Sequence, residues 1–115
     1  MHELDRGLII LRPKQPFVDW VNSWTTEDGT VTFEEACTET DGILIPEFES
    51  EAEGMAYVRL HATELFEHTL HEWCDEPSLW PIQRDYKVFC EWIEVRLHSM
   101  VFDAAEPEKI DPGLN

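Results

Sequence analysis

The run Leu8-Ile9-Ile10-Leu11, bracketed by Gly7 and by Arg12-Pro13, constrains the fold more than any other stretch of the chain. Side chains alternate across a strand, so four apolar residues in succession put oily groups on both of its faces. Such a strand is expected to be covered on both sides and to end at the proline. Pro16 then suits the first turn of a helix, where its missing N–H costs nothing. Phe17, Trp20, Val21 and Trp24 follow at i, i+3, i+4 and i+7, one apolar stripe of a short helix. A polar turn over Thr25–Gly29 closes this first strand–helix unit.

Thr32 and Glu35 have the spacing of a capping box, which favours a helical turn through Phe33, Ala36 and Cys37. The β preference of Thr30-Val31-Thr32-Phe33 supports a short strand equally well. Asp41-Gly42 reads as a turn and Ile43-Leu44-Ile45 as the second strand, with Pro46 at its exit or at a sheet edge. One long helix is expected from about Glu51 to Cys74. At ~100° per residue, Met55, Val58, Ala62, Leu65, Phe66, Thr69, Leu70 and Trp73 fall within about 140° of arc. Ser78-Leu79-Trp80-Pro81 forms a turn with two hydrophobic anchors. Asp85 caps a further helix, with Phe89, Trp92 and Ile93 as its stripe. From Val95 to Phe102 a third strand is expected, with continuation of the helix into Leu97 as the alternative.

The order is therefore β-α-(short element)-β-α-α-β, an α/β or α+β chain. A helix between two strands favours a parallel pair, within a three- or four-stranded sheet whose helices pack mainly on one face. Residues 1–103 are read as one globular domain and 104–115 as a mobile tail. The large side chains of the stripes, Phe17, Trp20, Trp24, Leu65, Phe66, Trp73, Phe89 and Trp92, should meet in one core.

Composition narrows the functional classes. The formal net charge is −17, from 25 acids against 8 Lys and Arg, yet 43% of residues are hydrophobic and five are Trp. That apolar content argues for a packed domain rather than a disordered polyanion. The charge opposes binding to a nucleic-acid backbone, because protein and phosphate would repel. No stretch nears the ~20 apolar residues that a spanning helix needs, so no membrane association is expected. With no signal-like start and an odd number of cysteines (Cys37, Cys74 and Cys90), reduced thiols in the cytoplasm are the simplest reading.

The five glycines form no phosphate-binding loop, and no cofactor is expected. Neither Cys74 beside His71, nor Cys90 ahead of His98, nor Ser99 carries a recognisable catalytic signature, so no catalytic residue is assigned. Two candidate sites remain. From Gln15 to Val58 there are eleven acids and no Lys or Arg. Within that run, Glu34, Glu35, Glu39, Asp41, Glu47 and Glu49 are expected to form a surface for a basic protein partner. The second candidate is the polar side of the long helix, where His61, Glu64, His68, His71 and Glu72 share an arc. Imidazole and carboxylate donors there suit a divalent metal ion or a small hydrolytic centre. The main reading is an acidic, cytoplasmic protein-binding domain, and metal binding is the alternative.

Overall fold

Strand β2 (Arg6–Pro13) forms the centre of the fold, and everything else is arranged around its two sides. The computed structural model describes residues 1–25, 30–38 and 40–105. Most of the expected turn after Trp24 (26–29), Glu39 and most of the expected tail (106–115) lie outside the described residues. The chain begins with a short strand, β1 (His2–Glu3), and continues from β2 into helices α1 (Gln15–Trp24) and α2 (Phe33–Cys37). Strand β3 (Asp41–Pro46) and helices α3 (Glu51–Leu60) and α4 (Ala62–Trp73) come next. A single 3-10 turn (Pro77–Leu79) leads to α5 (Tyr86–Trp92), β4 (Ile93–His98) and β5 (Phe102–Asp103). Strands β3 and β4 flank β2 in one antiparallel sheet, and β1 pairs with β5 in a separate two-stranded ribbon. This is an α+β domain.

The antiparallel pairing of β2 with β3 corrects the parallel pair expected from the sequence. Two helices, α1 and α2, lie between these strands. Strand β3 enters beside the end at which β2 left, with Asp41 opposite Leu11. The short element after α1 is helical, because Thr32 and Glu35 close a reciprocal capping box. The Glu35 N–H donates to Thr32 Oγ1 at 3.1 Å and the Thr32 N–H donates to Glu35 Oε1 at 2.9 Å.

The expected single helix over 51–74 is two helices, broken at His61 (φ −110°, ψ 20°). Its buried stripe nonetheless continues through the break as Gly54, Val58, Ala62, Leu65, Phe66, Thr69 and Leu70. A bend at one residue keeps the i+3/i+4 spacing, so periodicity reports the buried face but not the direction of the axis. Helix α5 starts where Asp85 caps it, the carboxylate accepting from the Val88 N–H at 3.0 Å. It stops one residue earlier than expected: Ile93 is the first residue of β4, and the expected strand over 95–102 is divided between β4 and β5. Leu79, expected as an apolar anchor, is exposed and instead accepts from Trp20 Nε1–H through its carbonyl, at 2.8 Å.

Ile9, Leu11, Ile45 and Ile93 line the inner sheet face and pack with Phe17, Trp20, Val21, Val58, Leu65, Phe66, Leu70 and Phe89. Trp24, Trp73 and Trp92 are only partly buried but close over the same cluster, so the three expected stripes share one core.

Candidate functional site

The five residues expected along one helix face occupy three separate settings. His61 stands at the break, its ring 4.2 Å from that of Tyr57 and its Nδ1 2.8 Å from the Glu64 carboxylate. His71 turns away to meet Trp80 edge-on at 6.4 Å. Only His68 and Glu72 face a common neighbour, and that neighbour comes from the other candidate set. Asp41, the first residue of β3, lies with its Oδ2 3.5 Å from His68 Nε2, while Glu72 Oε2 is 3.8 Å from the same nitrogen.

The local causes are plain. His68 and Glu72 are four apart on α4 and so lie on one side of it. Thr69 and Leu70, buried beside them, hold that helix against the sheet and fix its rotation. Asp41 sits at the β3 end next to Leu11 because the antiparallel register puts it there. Two carboxyl groups are thereby brought together without Lys or Arg: among the described residues, their ion pairs run only to His68. Hydrogen bonding with the Asp41 carboxyl, then partial burial, then the charge of Asp41 push Glu72 up to about 7, from an ordinary 4.5.

This shift has a testable sign. Between pH 4.5 and 7 the folded protein holds a proton at Glu72 that the unfolded chain has lost. Stability contributed at this position therefore falls as pH rises through that window. With the Glu72 side chain 43% exposed, solvent screening limits the effect to about 1 kcal/mol. Glu72→Gln should thus match the parent in urea unfolding at pH 4 and exceed it by about that amount at pH 8 in the presence of a chelator. A variant no more stable than the parent at pH 8 would mean that the two carboxyl groups do not share a proton.

The acids of the expected partner surface are not gathered in one place. Glu34 and Glu35 lie on α2, which packs beside the end of β2, with Cys37 Sγ 3.9 Å from the Pro13 carbonyl. Asp41 is at that same end of the sheet. Glu47 and Glu49 follow Pro46 at the opposite end of β3, about 17 Å away for a six-residue strand. Glu49 is engaged within the chain, its N–H donating to Glu53 Oε1 at 2.7 Å. Glu39 lies outside the described residues.

A surface that sequence reasoning missed lies on the outer side of the sheet. By alternation, Arg6, Leu8, Ile10 and Arg12 of β2 point away from the core. Leu44 lies opposite Leu8, and Gly42, which has no side chain, lies opposite Ile10. Across the other edge, His98, Arg96 and Glu94 stand opposite Leu8, Ile10 and Arg12. Glu94 is shared by Arg12 at 3.7 Å and Arg96 at 3.4 Å. Leu44 is 52% exposed and no residue on this face is buried. The signal was present in the unalternating run Leu8–Leu11, which implies a cover on both sides, whereas the helices supply only one.

Elsewhere, a groove of about 470 Å³ is lined by Ala52, Met55, Ala56, Leu60 and Tyr86, with Arg59 stacked over Tyr86 at 4.8 Å. No helix among the described residues is long and apolar enough to cross a membrane. Compared with protein-family models, curated proteins and solved structures, the chain matches none.

Proposed function

We propose that this protein is an interaction domain that docks a short segment of a partner protein on the outer face of its three-stranded sheet. The observation that carries this reading is the apolar set Leu8, Ile10 and Leu44 on the outer sheet face, where Leu44 is 52% exposed and Leu8 and Ile10 are only half-buried. An antiparallel sheet with one wet face normally alternates apolar and polar residues. Strand β2 breaks that rule on its outer side, as a strand does when something is to be laid against it.

Charge selects the partner. Arg6, Arg12 and Arg96 project from this face against the single acid Glu94, in a chain whose net charge is −17. An apolar segment framed by carboxylates matches it better than a basic one. The basic partner expected from Glu34, Glu35, Glu39, Asp41, Glu47 and Glu49 has less support, because the described acids of that set divide between two ends of β3. The three cysteines are free thiols, which suits the reducing cytoplasm as the place of action.

The test uses the immobilised full chain to capture partners from extract of its native cells, with quantitative mass spectrometry. Leu44→Asp should abolish capture while leaving the urea midpoint unchanged, since Leu44 is a surface position. Capture by the parent should be unaffected by Glu34→Lys with Glu35→Lys. Capture that survives Leu44→Asp and disappears with salt or with the two lysines would overturn this reading and restore the basic partner.

A further inference from the structure

We propose that Asp41, His68 and Glu72 bind one divalent transition-metal ion of the zinc class, tying the first residue of β3 to the outer side of α4. This site is separate from the sheet face and does not depend on the docking reading. It also differs from the helix-face set, since His61, Glu64 and His71 take no part and Asp41 replaces them.

Geometry makes the first argument. Each of the three residues offers one ligand atom, and these atoms lie within 4.8 Å of one another. A tetrahedral ion with ligand bonds of ~2.05 Å requires its donors about 3.3 Å apart. The distances from His68 Nε2, 3.5 Å to Asp41 and 3.8 Å to Glu72, are within about half an ångström of that value. Small side-chain rotations close the gap without moving the backbone. All three side chains are at least partly accessible, so an ion and its remaining water ligands can reach them.

Chemistry makes the second. One imidazole and two carboxylates form a borderline donor set, which suits zinc and its neighbours better than calcium, whose sites are all oxygen. Two carboxylates with one neutral imidazole carry −2, which a divalent ion cancels. The fold therefore holds together two like charges for which the described part of the chain supplies no Lys or Arg. The ion converts that repulsion into a bridge between two elements 27 positions apart in sequence.

Titrating the full-length protein with zinc by calorimetry tests this, with cobalt absorption reporting the donor atoms. One ion per chain is expected, together with a zinc-dependent rise in melting temperature and a cobalt spectrum free of thiolate charge-transfer bands. Asp41→Asn, His68→Ala and Glu72→Gln should each weaken zinc at least about tenfold. His61→Ala and His71→Ala should stay within about twofold, as expected of non-ligands. Because Glu72→Gln and Asp41→Asn are near-isosteric, a folding defect in the His68 variant would leave the ligand test intact. Absence of saturable binding, parent-like affinity in the Asp41 and Glu72 variants, or a cobalt–thiolate band would overturn the proposal.

Discussion

Phe66→Ala is expected to cost about 3–5 kcal/mol in urea unfolding, the largest stability loss from any single truncation in this domain. Phe66 is fully buried on α4. Its ring meets Phe89 of α5 at 6.0 Å and Trp92 at 5.7 Å, both edge-on, and Trp92 in turn meets Phe17 of α1 at 6.1 Å. Removing this ring leaves a cavity where three helices converge on the sheet. The fixed backbone of these helices prevents its collapse, so the loss includes both transfer and cavity terms. A domain of this size has roughly 5–15 kcal/mol in total, so about a fifth or more of it rests on one side chain. Loss of less than about 1.5 kcal/mol would show that the helices can repack around the vacancy. Trp73, in the same stripe but only partly buried, should cost less than Phe66 when truncated.

Gly7→Val is expected to be nearly as damaging, by overfilling rather than emptying. A side chain at Gly7 would run into the ring of Phe48, which is itself buried. On another side of that ring, a Cβ at Gly54 of α3 would lie 3.1 Å from it and 3.0 Å from Leu97. Phe48 is thus held between two glycines, one on the central strand and one on a helix, and pins the connection from β3 to α3 beneath the sheet. An aromatic ring in such a slot cannot swing aside as the end of a lysine would. Gly7→Ala should cost about 1–3 kcal/mol, and Gly7→Val more. The partner in the cycle is Phe48→Leu, which shortens the ring and makes room. If the clash is the cause, Gly7→Ala together with Phe48→Leu should lose clearly less than the two single changes combined. Strict additivity would locate the fault in the backbone of β2 instead.

The candidate metal site shows how far a sequence can be read. His68 and Glu72 were legible as a pair, because spacing of four on a helix is a local property. Asp41 was legible only as one acid in a run of acids. Joining it to them requires the position of β3 beside α4, which depends on how α1 and α2 return the chain and on where α4 is rotated. The same limit separated His61 and His71 from the site: angular arithmetic places residues on one arc of an ideal helix, but α4 begins only after His61, and His71 meets Trp80 from another element.

What the sequence determined by itself was everything that local chemistry controls. The strand at Leu8–Leu11, the stripe of α1, the cap at Asp85 and the buried side of α3 and α4 follow from spacing and residue type alone. Tertiary structure decided the rest. The direction of β3, the helix break at His61, the meeting of Asp41 with Glu72 and the exposure of Leu44 on the outer sheet face depend on contacts between residues far apart in the chain. Their energies come from excluding water across whole elements, which no window of neighbouring residues contains.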